Sequence, residues 1–224
     1  MNKQKVIGII DAHKSLFKFV LAIFNKLPFN NSFGGVQYNV GLSLLKNCKV
    51  VNHGQNNRLI VGDYSRLKDC TINIYGNNNT ILIGNFCLCN QGAFWLEDND
   101  NSIEIGDRTH LCGKIQLATI EGTKIRIGKS CLFSSAIDIR TGDSHSLIKK
   151  GTKERINNSR SINISDHVWI GTGVTILKGT KIANNCVIGA ASVLSNTYST
   201  PNTIIAGIPA REVKNDIDWL AERI

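Results

Sequence analysis

From Ile164 to Leu194 an aliphatic residue returns at every sixth position: Ile164, Ile170, Ile176, Ile182, Ile188 and Leu194, with Gly171, Gly179 and Gly189 between them. A helix needs a spacing near 3.6 and a half-buried strand a spacing of two. Six suits neither. It predicts a short strand, a corner and another short strand, each sending one aliphatic side chain inward, which is the mark of a repeat architecture. Upstream the beat is longer. The phrases Leu59-Ile60-Val61-Gly62, Ile81-Leu82-Ile83-Gly84, Ile103-Glu104-Ile105-Gly106 and Ile125-Arg126-Ile127-Gly128 follow one another every 22 residues. The triplets Asn77-Asn78-Asn79, Asn99-Asp100-Asn101 and Glu121-Gly122-Thr123 keep step, and the next beat falls on Asp143-Ser144-His145. The following apolar phrase, Ile162-Asn163-Ile164, comes about fifteen residues late, so an insertion of that size follows His145.

The pattern predicts an all-β solenoid of roughly eight coils, each adding about 4.8 Å along the axis. Three parts are expected: a helical and loop segment over 1–40, the solenoid over 41–210 with an inserted loop at 146–161, and a tail over 211–224. In the first part Asp11 is the expected cap of a helix running to about Lys26, which Pro28 stops. Residues 29–40 read as loop, and Asp216 to Ile224 as a short terminal helix with Trp219 and Leu220 inward. Trp95, Leu117 and Ile139, 22 residues apart, read as equivalent wall or core positions.

Composition narrows the function classes. The 224 residues carry a net charge of +9, which favours acidic partners, yet no nucleic-acid motif or aromatic-interleaved basic stripe is present. The seven cysteines form no CxxC pair, and Cys70, Cys112, Cys131 and Cys186 read as small buried fillers. No secretory signal is evident, which points to a reducing, cytoplasmic interior. The helix before Pro28 is too short in apolar residues to span a bilayer. It either caps the solenoid or packs in an oligomer, or else it rests, through residues 11–26 with Lys14, Lys18 and Lys26, on an anionic membrane surface.

Three stretches carry a resemblance: SDHVWIGTGVTILKG, KIANNCVIGAASVL and AGIPAREV. The chain over about 59–213 resembles the hexapeptide-repeat acyltransferases, and TGDSHS followed by SDHVWIG is similar to the branch that O-acetylates cell-surface polysaccharides such as polysialic acid. The resemblance implies a left-handed parallel β-helix, although parallel crossovers are usually right-handed. It also implies a homotrimer with active sites between subunits and acetyl-CoA as co-substrate. His145 and Trp169 match the family's active pair. Gly189, Ala190, Ala191 and Ser192 match residues lining the pantetheine arm, and Ala206, Gly207 and Arg211 those near the nucleotide. Ser165 departs from the family's commoner glycine.

Residue chemistry runs alongside. An alcohol acceptor needs a positioned base, and histidine is the usual one. His145 stands at a corner beside the insertion. Asp143 shares its side in extended chain and either orients the imidazole or holds the turn. Trp169 precedes the inward Ile170, so alternation points it outward. His167 shares that parity and reads as a surface or interface residue. Backbone N–H groups at Gly171, Gly189 and Ala190 are candidate oxyanion donors. Lys149, Lys150, Lys153 and Arg155 in the inserted loop are candidate acceptor contacts, and no metal site is expected. Three rival readings remain, one of them a non-catalytic β-helix that binds ice or polysaccharide, which would show rows of threonine on an uninterrupted face instead of a broken register. An N-acetyltransferase of nucleotide-linked amino sugars needs only a different acceptor. A γ-class carbonic anhydrase needs histidines five apart, which the chain lacks.

Overall fold

The computed structural model describes residues 8, 12–26 and 31–224, so Asp11 and Pro28 lie outside the described residues. The chain winds into a three-walled parallel β-solenoid. The first wall contains Cys48–Asn52, Thr71–Tyr75, Gly92–Glu97, the second halves of His110–Thr119 and Leu132–Arg140, and Thr175–Ile176. The second wall runs from Gln37–Asn39 through Ser102–Ile105 and Ile162–Ile164 to Thr197–Tyr198. The third includes Leu88–Asn90, the first halves of His110–Thr119 and Leu132–Arg140, Trp169–Ile170 and Val187–Ile188.

Register follows the sequence arithmetic. Thr80, Ser102 and Lys124 pair in succession, 22 residues apart. Across the insertion Ile125 pairs with Ile162, which is 37 apart and accounts for the fifteen extra residues. Beyond it the coils shorten to 18, with Asn163 against Lys181 and Trp169 against Val187. The sixfold aliphatics are all buried at 1% exposure or less. At the corner of the long coils Asn57, Asn79 and Asn101 are buried, each side-chain oxygen accepting the backbone N–H one coil on. This explains the asparagine-rich triplets, because a buried corner must pair its amides.

Four expectations need correction. Residues 29–40 were expected to be loop, but Asn31–Ser32 and Gln37–Asn39 already pair into the first and second walls. Trp95 is not equivalent to Leu117. Phe94 pairs with Leu117 and Trp95 with Ala118, because the strand His110–Thr119 takes one extra residue near Lys114, whose φ is 41°. Trp95 is therefore 37% exposed on the first wall. Cys112 is exposed between inward Leu111 and Gly113, whereas Cys70, Cys131 and Cys186 are buried fillers as expected. Burial pushes the Cys131 thiol up to about 11.

The expected C-terminal helix is also absent. Ala210–Lys214 turns back antiparallel to Ile204–Gly207, and the remaining tail is irregular. Trp219 is nevertheless buried, while Leu220 is exposed.

The helix Lys14–Lys26 is anchored by its last turn. Asn25, 1% exposed, donates to the Ser43 carbonyl and accepts from the Leu45 N–H. Leu16, Phe19, Val20 and Ile23, spaced to share one face, are exposed. No described helix is long and apolar enough to cross a membrane.

Candidate active site

The chain leaves the solenoid after Leu132–Arg140 through a tight turn. The His145 N–H donates to the Asp143 carbonyl at 2.7 Å, and Ser144 between them has a φ of 60°. Asn157, 7% exposed, pins this turn. Its Nδ2 donates to Asp143 Oδ2 and to the His145 carbonyl, both at 2.8 Å, and its Oδ1 accepts from the Leu147 N–H and from Arg155 Nε. Lys178, from the corner after Thr175–Ile176, donates through Nζ to Asp143 Oδ2 and to the Asn157 carbonyl. Hydrogen bonds from Lys178 and Asn157, with the nearby charges of Lys178 and Arg155, hold the Asp143 carboxyl below its usual range.

These bonds bear on Asp143. Its carboxylate is engaged by Lys178 and Asn157, so the geometry favours the turn-holding role over direct contact with the imidazole. The His145 side chain is exposed and makes no hydrogen bond within the described residues.

The inserted residues form a small hairpin. Ile148 bridges Arg155 antiparallel, and the Ile156 N–H donates to the Leu147 carbonyl. Arg155 is not free for a ligand as expected, because its guanidinium pairs with Glu121, whose other oxygen accepts the Ser159 N–H. The Arg155 and Ser159 bonds lower the Glu121 carboxyl. Lys149 lies 3.9 Å from Glu154. Lys150 and Lys153 stand exposed near the hairpin tip with no ion pair among the described residues.

Trp169 is 38% exposed, pointing outward as alternation requires. The C-terminal tail packs over it. Trp219 lies 6.0 Å from Trp169 and stacks on His167 at 4.3 Å, while its Nε1 donates to the His167 carbonyl. His167 thus serves the tail contact. Within one chain His145 and Trp169 are not brought together: the whole second-wall strand Ile162–Ile164 and its flanking corners separate the edges that carry them.

The corner leaving the third wall is made of small residues. Gly171 and Gly189 fit close coil contacts, since a Cβ there would meet Ala190 N at 2.8 Å and Ala206 Cβ at 2.8 Å respectively. Their N–H groups, expected as oxyanion donors, instead bond the Ile188 and Ile205 carbonyls. The Ala190 N–H has no partner among the described residues, and Ala190 and Ala191 are exposed. Ser192 does not line this surface. It is fully buried, with its hydroxyl donating to the Gly189 carbonyl and accepting from Gly207 N–H. Ala206 and Arg211 face each other across the terminal antiparallel pair, and Gly207 and Arg211 are exposed. The small exposed corner with one open amide fits the narrow amide-bearing arm of coenzyme A.

Comparison with known proteins bears on the fold that carries these residues. Residues 161–196 match the family model described as bacterial transferase hexapeptide (six repeats). The solved structure of the polysialic acid O-acetyltransferase OatWY superimposes with a TM-score of 0.72 at 30% identity, covering 87% of this chain and 92% of that one. The chain belongs to the hexapeptide-repeat acyltransferase family. Membership brings the left-handed parallel β-helix expected above. The polySia-specific acetyltransferase NeuO superimposes with a TM-score of 0.63 at 25% identity, covering 79% of this chain and 90% of that chain. Among curated relatives, the polysialic acid O-acetyltransferase of Neisseria meningitidis is 37% identical over 107 residues, 48% of this chain. The chain spans about half the length of the curated relatives it matches, 50% for that one.

Lys178, Asn157 and Trp219 bond to or stack on the candidate residues Asp143, His145 and His167 without a sequence motif that marks them. The insertion arithmetic points to the segment holding Asn157. Lys178 gives no local signal, because its contact with Asp143 spans 35 residues.

Proposed function

We propose that this hexapeptide-repeat protein is an O-acetyltransferase that moves the acetyl group of acetyl-CoA to a hydroxyl of an acidic capsular polysaccharide, with His145 as general base. The observation that carries the reading is the fifteen-residue break in register after His145. It exposes an imidazole on a turn pinned by Asn157 and Lys178, in a chain similar over most of its length to polysialic acid O-acetyltransferases.

Acetyl-CoA, when bound, supplies an activated acyl group. The chain's own residues do the rest. His145 accepts the proton of the acceptor hydroxyl, a step typically worth roughly 100- to 10,000-fold. Asp143, tied to Lys178 and Asn157, fixes the turn and so the imidazole's position. The open Ala190 N–H is the donor at the small-residue corner. Arg211 and the exposed loop lysines are available to phosphates.

The separation of His145 from Trp169 supports a site shared between chains. One wall of the prism is roughly 15–20 Å wide at strand rise. A site using both residues therefore takes His145 from one protomer and Trp169 from another, as the expected homotrimer provides. A cytoplasmic location follows from the donor. The exposed face of Leu16, Phe19, Val20 and Ile23 suits a further apolar contact, with an oligomer partner or with the inner face of the membrane.

The test is incubation of purified protein with acetyl-CoA and a panel of acidic polysaccharides, read by mass spectrometry. Mass gain of one acetyl on a hydroxyl is expected, with at least about a hundredfold loss in His145→Ala. Near-normal turnover in that variant, or transfer only to amines, overturns the reading.

A further inference from the structure

We propose that a cavity on the first wall, reaching the turn that carries His145, is the acceptor subsite, taking one acidic sugar ring against the indole of Trp95. This rests on the acetyl-transfer reading and adds to it where the sugar lies and which side chains select it.

The cavity, about 290 Å³, is lined chiefly by Trp95, Glu97, Gln116, Ala118, Arg140 and Ser144. That is the low end for small-molecule sites, which favours a single ring over a stretch of polymer. Three aromatic rings lead to it. His53 stacks on Tyr75 at 4.8 Å, and Tyr75 lies 5.1 Å from Trp95. Tyr75 therefore braces the indole from the preceding coil. On the following coil the residue opposite Trp95 is Ala118, and one coil further it is Arg140. The aromatic row stops at a methyl group. Two strand spacings, about 9.6 Å, then separate the levels of the indole and the guanidinium. A sugar ring laid on the indole fills that gap, its apolar face on the aromatic face and its hydroxyls toward the polar rim.

The charges orient it. Arg140 Nε is bonded to the Asp138 carboxylate at 2.8 and 2.9 Å, while its terminal nitrogens have no partner among the described residues. They present donors to a sugar carboxylate. Asp138 holds the guanidinium through Nε, while Glu97, on the Trp95 strand at the other end, repels a carboxylate there and with Gln116 faces the hydroxyl edge. Ser144 forms part of the rim and is bonded in sequence to His145. A ring seated here therefore lies next to the turn that carries the proposed base.

The experiment uses the full-length protein without acetyl-CoA and short oligosialate, with its carboxyl-reduced form as the neutral counterpart. Saturation-transfer NMR reads binding, and steady-state kinetics with acetyl-CoA read turnover. Trp95→Ala removes the platform. Ala118→Phe leaves Trp95 in place and continues the aromatic row, closing the gap. Both variants are expected to lose the oligosialate saturation transfer and to raise acceptor KM about tenfold or more, with KM for acetyl-CoA unchanged. Arg140→Gln is expected to erase the preference for oligosialate over the reduced form. A folded Ala118→Phe protein with wild-type acceptor KM and binding overturns the subsite while leaving the acetyl-transfer reading standing. Oligosialate binding that depends on Trp95 without any transfer sinks the transferase reading and keeps the subsite. Absence of oligosialate binding to the wild-type protein overturns the subsite as stated.

Discussion

Asn79 and Asn157 are both buried and both hydrogen-bonded through each end of the side-chain amide, yet they belong to different parts of the molecule and are tied to different partners. Asn79 sits in the regular stack of long coils. Its backbone N–H bonds Asn57, its side-chain oxygen accepts from Asn101, and its amide donates to the Asp98 carbonyl, so it links coils on both sides. Asn157 sits in the one segment that breaks the stack. Every side-chain bond it makes falls on Asp143, His145, Leu147 or Arg155, all in the turn and hairpin. The repeat region thus uses buried amides to propagate stacking, as expected where each unit contacts its neighbours. The insertion uses the same chemistry to hold a non-repeating turn that carries a histidine.

Exchanging the two asparagines for alanine sharpens that contrast most. Asn157→Ala unpins the His145 turn, and kcat is expected to fall roughly ten- to a hundredfold, with the thermal midpoint nearly unchanged because the hairpin is peripheral. Asn79→Ala leaves buried coil amides unpaired and is expected to cost about 1–3 kcal/mol of stability with kcat unaltered. Denaturant titration and initial rates on both proteins check this. If Asn79→Ala loses activity as Asn157→Ala does, the division between scaffold and site is wrong.

A second contrast lies between the coil types. The 22-residue coils carry the broad first wall with Trp95 and Arg140, whereas the 18-residue coils carry the narrow corner with Ala190 and Ala191. Ala190→Phe puts a bulky group on that exposed corner without touching the core. KM for acetyl-CoA is expected to rise about tenfold, with acceptor KM unchanged. Unchanged KM for acetyl-CoA removes this corner from the cofactor's path.

The parts of this arrangement legible in the sequence are those set by periodicity. The sixfold aliphatics specify the inward positions, and the late arrival of Ile162 specifies an insertion of about fifteen residues. Alternation also bears on two residues that were misplaced. Ser192 shares parity with inward Leu194, and Cys112 lies between inward Leu111 and Gly113. The count of 22 fails at Trp95 because one extra residue near Lys114 shifts the register within a single wall. Lys178 against Asp143, Arg155 against Glu121 and Trp219 over His167 are contacts across 34 to 52 residues. They depend on where an irregular segment lands, and no repeat spacing specifies that.

The smallest expected effect concerns acid, and it separates the two regions by charge. The amide ladder of Asn57, Asn79 and Asn101 contains no titrating group, whereas the hairpin is tied through the carboxylates of Asp143 and Glu121. Both carboxyls are held below their usual range, Asp143 chiefly by Lys178 and Glu121 chiefly by Arg155. A depressed value in the folded state means that the anion is favoured there, so the stabilisation is fully present above the unfolded carboxylate range and is lost as pH falls through the folded values. Both groups are largely solvent-screened, so the effect on global stability is small. In a His145→Ala background, where no imidazole neighbours the turn, the hairpin amides of Leu147 and Ile156 are therefore expected to keep their NMR shifts from neutrality down to the ordinary carboxylate range and to move only below it. The coil amides of Asn79 and Asn101 are expected to stay fixed over the same interval. Asp143→Asn replaces the anion with a neutral group at every pH, so it should shift the hairpin amides already at neutrality and reduce the acid transition to the part owed to Glu121. If the hairpin amides move near neutral pH in the His145→Ala protein, or stay put when Asp143→Asn is added to it, then Lys178 is not what fastens the His145 turn to the solenoid.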